Sequence, residues 1–449
     1  MNSKHNIRSA FRNEFSDWRV WITRALVVAF AVLAGLSVVG FTAVSEWGFE
    51  QFSAMYRHYW WTPLLWTPLC TAAIVWMTRR YAAGASGSGI PQVMAALEPA
   101  VSTAQQGIFV SLRLSLYKVA LTTWGLVAGL SLGREGPSVQ VAAGIMLTAR
   151  RWLPERSAVS THGLLVAGGA AGIAAAFNTP LAGVMFAIEE LSRTPEQRSS
   201  GLLMAAIVLA GLIAVSINGN ATYFGLIHAQ AIDLSLLLPG LMVALASGLA
   251  GGLFSRLLIA SLSGPPRDWF SRVRLRRPVW FAAACGLAVA VLGLLSGGAI
   301  FGSSYSHTRD MLAGADHSPA IFVLFKLVAT WLTSWSGVPA GIFAPSLSIG
   351  AALGNDIAQL LHYPNASALI ALGMVGFLAA VTQAPLTSFI IVMEMVDGHA
   401  MVLSLMACAL VARTVSHVLS PPLYATLAQT QLGRLPPEAL SKESGQNLR

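Results

Sequence analysis

Carboxylates embedded in apolar sequence are the residues best suited to do chemistry in this chain. Glu135 lies between Gly133-Arg134 and Gly136-Pro137, and Glu189 and Glu190 end the apolar segment that begins at Pro180. An ionisable side chain at membrane depth is costly and usually functional, although an acid at a helix start can simply cap that helix. Adjacent carboxylates at a helix end are more often solvated than part of a relay, so both interpretations of Glu190 stay open at this point.

Glycine and proline interrupt the apolar sequence at points where backbone N–H groups would be left unpaired. Four of these breaks are Gly87-Ser88-Gly89-Ile90-Pro91, Gly133-Arg134-Glu135-Gly136-Pro137, Gly341-Ile342-Phe343-Ala344-Pro345 and Ser420-Pro421-Pro422. Non-helical backbone at membrane depth is tolerated only inside protein or along a wet cavity, so the breaks mark a pathway. Helix starts that meet there bind an anion through amides and the helix dipole, and Ser88 and Tyr424 can add hydroxyl donors. Such partial charges hold an anion weakly enough to release it.

The composition requires a membrane around these breaks. The chain has 449 residues, of which 55% are hydrophobic and only 10% charged, whereas soluble domains carry about 25% charged residues. Runs without Asp, Glu, Lys or Arg cover 25–45, 234–255, 278–308 and 369–393. We expect ten or more segments of this kind, each long enough to cross a bilayer core, and therefore an all-α polytopic membrane protein.

The distribution of basic residues predicts the orientation. The net charge is +9, and arginines occupy short loops at Arg79-Arg80, Arg150-Arg151 and 267–277. Because positive loops stay in the cytoplasm, we expect cytoplasmic N- and C-termini, with segment 1–24 and a short tail 431–449 on that side, in a bacterial inner membrane. The positive net charge therefore does not require a nucleic-acid partner, and none is expected. The histidines show no metal-ligand spacing and no phosphate-binding loop is present, so neither a metal, a cofactor nor an enzyme is expected.

Two blocks of internal similarity predict that the chain consists of two related halves. The motif that starts at Gly133 matches the one that starts at Gly341, a shift of 208 residues (341 − 133), and the Pro180 block with Glu189 matches the block with Glu394, a shift of 205 (394 − 189). We place the first transmembrane repeat at 25–230 and the second at 231–430. Broken helices at corresponding positions of two repeats are typical of transporter binding sites near the bilayer midplane.

The four breaks, in their order along the chain, resemble the selectivity-filter motifs of the CLC chloride channel and transporter family, in its prokaryotic chloride/proton exchanger form. The likeness extends from about residue 20 to 430 and implies a CLC-type fold of two inverted-topology repeats with many broken or tilted helices. It implies that chloride binds the hydroxyls of Ser88 and Tyr424 and the amides of Ile342 and Phe343. It further implies a homodimer with one independent anion pathway per subunit, surrounded by lipid.

The resemblance also assigns roles to the carboxylates. Glu135 matches the external gating glutamate, and Glu190 matches the inner proton-transfer glutamate of exchanger members, whereas Glu394 is expected to be structural. Lys118 matches a buried lysine of similar proteins, but Met94 stands where its acidic partner is expected, so the partner of Lys118 stays open.

We therefore expect a secondary active antiporter of chloride against protons, with a passive chloride channel on the same fold as the alternative. A cation or organic-substrate transporter would need an acidic or aromatic lining at the breaks, which Ser88 and the amide-rich helix starts do not supply. Ser88 also favours chloride, because fluoride-selective relatives lack this serine and nitrate-preferring ones replace it with proline.

Overall fold

The computed structural model describes residues 18–154, 157, 159–192, 200–219, 224, 234–263, 268–314, 319–396, 398–433 and 435. The first half contains α1 (Trp18–His58), α2 (Pro63–Tyr81), α3 (Ile90–Leu97), α4 (Thr103–Phe109), α5 (Leu112–Val127), α6 (Glu135–Thr148), α7 (Thr161–Phe177), α8 (Pro180–Phe186) and α9 (Ser200–Asn218). The second half contains α10 (Leu237–Leu262), α11 (Trp269–Arg276), α12 (Pro278–Leu295), α13 (Tyr305–Leu312), α14 (Ile321–Ser336), α15 (Phe343–Leu360), α16 (Ala366–Thr382), α17 (Pro385–Met395), α18 (Val402–Leu419) and α19 (Leu423–Leu432).

The described part of the chain has no β-strand, which confirms the all-α prediction. The expected boundaries of the terminal segments lie largely outside the described residues, since 1–17 and 436–449 are not described, and the limits of the two repeats stay a prediction. Helix α1 already begins at Trp18, inside the segment assigned to the N-terminus.

The prediction of ten or more long apolar segments is wrong for the described residues. Five helices are long and apolar enough to cross a membrane, namely α1, α9, α10, α12 and the helix that includes α18, and α7, α14, α16 and α17 are apolar but shorter. The apolar runs are split by the backbone. The run 278–308 stops being helical at Leu295, before Gly297 and Gly298, whose φ angles are +62° and +91°.

The same kind of break occurs at equivalent positions in both halves. Helix α7 ends at Phe177 and α16 at Thr382. The cap residues that follow, Asn178 and Gln383, are both left-handed with φ of 60°, and Pro180 and Pro385 begin the next helices. The two left-handed residues are 205 positions apart (383 − 178), the shift found in the sequence. Asparagine and glutamine thus end these helices without a glycine, and the following proline prevents their continuation.

Small residues allow the helices behind the breaks to pack backbone to backbone. A Cβ at Gly354 of α15 would lie 2.1 Å from the carbonyl oxygen of Leu369 in α16. In the first half, a Cβ at Gly172 of α7 would lie 2.6 Å from the carbonyl oxygen of Ser138 in α6. Where lipid offers no hydrophobic driving force between helices, this close approach supplies the packing energy. This packing fixes the positions of α6 and α15, the helices that begin at the breaks.

Candidate functional site

The loops that carry the breaks are joined by backbone hydrogen bonds between the two halves. Gly133 N–H donates to Gly341 O at 2.8 Å, and Gly341 N–H donates to Gly133 O at 3.0 Å, which forms an isolated antiparallel bridge. Gly87 N–H donates to Val338 O at 3.1 Å, and Ala340 N–H donates to Gly87 O at 3.1 Å. The second and third breaks are therefore paired directly, and the first is attached beside them.

Three of the four predicted chloride ligands line one cavity of about 90 Å³. Ser88, Ile342 and Tyr424 lie on its wall. Tyr424 is only 1% exposed, and its hydroxyl lies near that of Ser88. Neither hydroxyl makes a hydrogen bond of normal geometry to any described residue. Buried hydroxyl groups without a partner are costly, so a ligand in this cavity that accepts hydrogen bonds would satisfy them.

Phe343, the fourth predicted ligand, is not on the wall of this cavity but contacts Tyr424, which is. Its ring stacks on that of Tyr424, with centroids 6.0 Å apart and an interplanar angle of 10°. Phe177 and Phe186 also lie against Phe343, at centroid distances of 6.0 and 6.5 Å. This buried aromatic cluster fixes the orientation of the Tyr424 ring.

Gly89 and Gly136, in the first two breaks, are required by the close approach of α3 and α6. A Cβ at Gly136 would lie 2.3 Å from Ser88 Oγ, and a Cβ at Gly89 would lie 2.7 Å from Gly136 O. Gly89 also has φ of +107°, a conformation that side chains rarely adopt. The N-terminus of α6 is thereby held against Ser88, and its unpaired N–H groups and dipole favour negative charge at this position.

Glu135 is the first residue of α6 and is only 1% exposed. Its carboxyl group lies at the backbone N–H groups of Glu135 itself and of Ala344, the second of which belongs to the other half. A Cβ at Gly133 would lie 2.3 Å from Glu135 Oε2, so only glycine at residue 133 leaves room for the carboxyl group. A carboxyl group therefore lies at backbone amides and close enough to the Tyr424 hydroxyl to act on it electrostatically.

Arg134 forms an ion pair with Glu46, an acid that is distant in the sequence. Its Nη2 contacts Glu46 Oε1 at 2.7 Å, and its Nη1 donates to Thr42 O at 3.4 Å. Glu46 is largely exposed, so the ion pair lies at the surface end of α6.

Glu190 lies on a single π-helical turn, Ala187–Leu191, which follows α8. The turn is closed by the bond from Ser192 N–H to Ala187 O at 2.7 Å, and such π turns are frequent at functional sites. Glu190 is half-buried rather than fully solvated. It does not line the cavity, yet its carboxylate is close enough to act electrostatically on the Tyr424 hydroxyl.

Glu189 and Glu394 cap helices of the opposite half. Glu189 accepts hydrogen bonds from the N–H groups of Leu386 and Thr387 at 3.1 and 2.6 Å, at the start of α17. Glu394 accepts from Leu181 and Ala182 at 3.2 and 2.8 Å, at the start of α8. The contacts of the two residues are reciprocal, as the sequence shift predicts, and they give Glu394 the structural role that we expected.

Two fully buried lysines hold the loops of the two halves. Lys118 Nζ donates to the carbonyl oxygens of Ala85 and Gly87 at 2.8 and 2.6 Å, so main-chain carbonyls take the place of the acidic partner that Met94 does not supply. Lys326 Nζ donates in the same way to Ile300 and Gly302 at 3.0 and 2.8 Å. Sequence reasoning missed Lys326. The available signal was its shift of 208 from Lys118 (326 − 118), the same as that between the paired motifs.

A family model and several curated relatives match most of this chain. The family model "Voltage gated chloride channel" matches residues 70–417. The H(+)/Cl(-) exchange transporter ClcA of Cronobacter sakazakii is 30% identical over 440 residues, which cover 93% of this chain and 91% of that protein. ClcA of Klebsiella pneumoniae subsp. pneumoniae is 31% identical over 434 residues, or 91% of this chain and 89% of that protein.

Two solved structures share the fold. A slow cyanobacterial Cl⁻/H⁺ antiporter superposes with a TM-score of 0.79 at 26% identity, over 92% of this chain and 98% of that one. A CLC-type fluoride/proton antiporter superposes with a TM-score of 0.74 at 24% identity, over 90% of this chain and 96% of that one. The second likeness shows the fold alone.

Proposed function

This chain belongs to the voltage-gated chloride channel (CLC) family, and we propose that it exchanges chloride for protons across a membrane. One observation carries the proposal: the unpartnered hydroxyls of Ser88 and Tyr424 line a cavity beside a buried carboxyl group, that of Glu135, which lies on backbone N–H groups. An anion site and a proton-binding group are thus adjacent.

Chloride binds in the cavity by accepting hydrogen bonds from Ser88 and Tyr424, with the amides of Ile342 and Phe343 at the start of α15 completing its shell. None of these donors carries a full charge. Hydrogen bonds to an ion are worth about 1.5–3 kcal/mol each, so several together bind chloride measurably. The site still allows release, because conduction requires binding that is favourable but weak.

Glu135 acts as a gate because its carboxylate and chloride compete for the same kind of donor. While charged, the carboxylate occupies the amide donors at the start of α6 and at Ala344 and repels an anion. Protonation removes the negative charge and frees these donors. Anion entry and proton uptake therefore favour each other, and this linkage is reciprocal by thermodynamic necessity. Such coupling is the basis of exchange.

Glu190 delivers protons to the pathway from the side of the membrane opposite to that of Glu135. It lies off the cavity but within electrostatic reach of Tyr424, so a proton at Glu190 has a separate entry from that of chloride. The names of the ClcA relatives, both described as H(+)/Cl(-) exchange transporters, favour exchange over the alternative of a passive chloride channel on the same fold.

We further propose a homodimer with one pathway per subunit in a bacterial inner membrane, with both termini in the cytoplasm. Leu181 and Ile188 in the first half, and Leu386 in the second, are apolar residues exposed on adjoining helices. A second copy would cover this surface, and lipid would cover the exposed apolar side chains elsewhere. The arginine-rich loops supply the expected cytoplasmic charge.

Reconstituted liposomes test the exchange. An outward chloride gradient imposed on vesicles that contain the full chain should drive protons inward against their own gradient, which a pH-sensitive dye would report. Chloride flux without uphill proton movement would refute exchange and leave the channel as the function. Chemical crosslinking in detergent tests the dimer separately, since a purely monomeric product contradicts it.

A further inference from the structure

The chain turns into the helix of Tyr424 through two prolines. Ser420 follows α18, and Pro421 and Pro422 lead directly into α19, of which Tyr424 is the second residue. Proline has no backbone N–H, so this corner offers no main-chain donor over two successive residues. Ser420 is only 3% exposed, and a buried carbonyl group without a donor is costly. The Ser420 carbonyl oxygen therefore needs a donor from elsewhere in the fold.

Gln383 supplies this donor from a distant part of the chain. Its Nε2 donates to Ser420 O at 2.8 Å. Gln383 is the left-handed residue that follows α16, and it does not line the cavity. The hydrogen bond therefore joins the corner before Tyr424 to the end of α16.

His417 of α18 determines which way the Gln383 amide faces. Its Nδ1 lies 3.1 Å from Gln383 Oε1. Because the Ser420 carbonyl can only accept, the amide nitrogen faces it, and Oε1 then accepts from the Nδ1–H of His417. A second hydrogen bond, from Ser416 Oγ to Ala380 O at 2.5 Å, joins the same two helices one turn earlier. The end of α18 is thus fixed to α16 at two successive turns.

Helix α16 is a rigid support for this corner because it packs backbone to backbone on α15. A Cβ at Gly373 of α16 would overlap the carbonyl oxygen of Gly350 in α15. Helix α15 begins at Phe343, where the amides proposed to bind chloride lie. The corner before Tyr424 and these amides are therefore attached to one pair of closely packed helices.

We propose that Gln383 is a positioning residue for the Tyr424 hydroxyl: its amide, oriented by His417, holds the corner 420–422 so that this hydroxyl faces the anion. The inference rests on the proposed function, in which the Tyr424 hydroxyl is a chloride ligand. A preorganised site tolerates a displacement of only about 0.5 Å. Because the two prolines leave the corner without main-chain donors of its own, loss of the Gln383 amide lets the hydroxyl move and weakens chloride binding.

Asn178, the equivalent residue of the first half, gives a matched control. It follows α7 with the same φ of 60°, and its Nδ2 donates to the carbonyl oxygen of Gly219 at 3.2 Å. Neither Asn178 nor Gly219 lines the cavity. Removing either amide changes a left-handed helix cap in the same way, but only the amide of Gln383 is joined to the Tyr424 corner.

Calorimetry of the full chain in detergent measures the effect on chloride binding. Gln383→Met keeps the length of the side chain and removes the donor, so chloride affinity should fall about three- to tenfold. Tyr424→Phe removes the hydroxyl itself and should weaken binding about tenfold or more. In the Tyr424→Phe background, Gln383→Met should have no further effect, because both changes act through the same contact. His417→Leu, at an exposed position, should weaken binding by a smaller factor, and Asn178→Leu should leave it unchanged.

A crystal structure of Gln383→Met separates this proposal from the proposed function, since it should show the Tyr424 hydroxyl displaced by about 0.5 Å or more. A hydroxyl that stays in place overturns the proposal. It is also overturned if Gln383→Met and His417→Leu both bind chloride like the wild type although Tyr424→Phe does not, or if Asn178→Leu weakens binding as much as Gln383→Met. A displaced hydroxyl together with normal chloride affinity of Tyr424→Phe supports the positioning role and refutes only Tyr424 as a chloride ligand.

Discussion

Replacing Glu189 and Glu190 one at a time should separate a structural carboxylate from a functional one. Glu189→Ala removes the two hydrogen bonds to Leu386 and Thr387, at 3.1 and 2.6 Å. Each bond to a charged group is worth about 1.5–3 kcal/mol. Because Leu386 is exposed at this helix start, we take the lower end and expect a loss of about 2–4 kcal/mol in the free energy of unfolding.

The equivalent cap in the other half gives a matched variant. Glu394→Ala removes bonds of 3.2 and 2.8 Å to Leu181 and Ala182 and should cost a similar amount. Glu190→Gln keeps the size and shape of the side chain and should lower the free energy of unfolding less than Glu189→Ala does. It should instead abolish proton movement while chloride flux and chloride binding persist, because the proton entry is lost but the cavity is intact.

Two measurements test whether Glu189 is structural and Glu190 functional. Unfolding of the purified protein in mixed micelles with increasing SDS reports stability, and chloride-driven proton uptake in liposomes reports coupling. The reasoning fails if Glu189→Ala is as stable as the wild type, or if Glu190→Gln still moves protons uphill when chloride runs downhill. In the second case Glu190 would be a solvated helix end, and the proton path would have to be sought elsewhere.

Three further perturbations address the anion site and its gate. Glu135→Ala deletes both the competitor and the proton carrier, so chloride flux should remain fast, lose its proton coupling and depend little on pH in the same liposome assay. Ser88→Ala and Tyr424→Ala should each weaken chloride binding by about 1.5–3 kcal/mol in calorimetry, and unchanged affinity in both would contradict the ligand assignment. Gly133→Ala places a Cβ 2.3 Å from Glu135 Oε2, so it should displace the gate and uncouple proton from chloride flux in protein that still elutes as a folded species; normal coupling would show that the carboxyl group does not need this space.

The breaks and their convergence at one place could be predicted from sequence because glycine and proline have few structural alternatives in a membrane. Ser88, Ile342 and Tyr424, which are far apart in the chain, lie on one cavity wall. Their motifs predict helix starts whose backbone N–H groups are unpaired. Several such starts that converge can share one anion as their ligand. The internal shift likewise predicted that Glu189 and Glu394 would be equivalent.

Other features could not be predicted because they depend on contacts between distant residues of no distinctive type. The partners of Lys118 are main-chain carbonyls, which leave no trace in the identities of Ala85 and Gly87. Gln383 looks like an ordinary helix-end residue until the packing of α16 against α18 brings it to the carbonyl oxygen of Ser420. The number of long helices was overestimated because composition alone does not show where the backbone turns inside an apolar run.

The bridge between Gly133 and Gly341 has a consequence for how the chain is made. Synthesis proceeds from the N-terminus, so Gly133 is made 208 residues (341 − 133) before its backbone partner Gly341. The caps from Glu394 to α8 and from Glu189 to α17 are also completed only when the second half has been translated. Unpaired backbone groups are costly in lipid. Water or other proteins must therefore cover these groups of the first half until the second half has been made. The proposed anion site is therefore completed only after the second half has been made, and a chain that stops before residue 341 lacks Ile342, Phe343 and Tyr424.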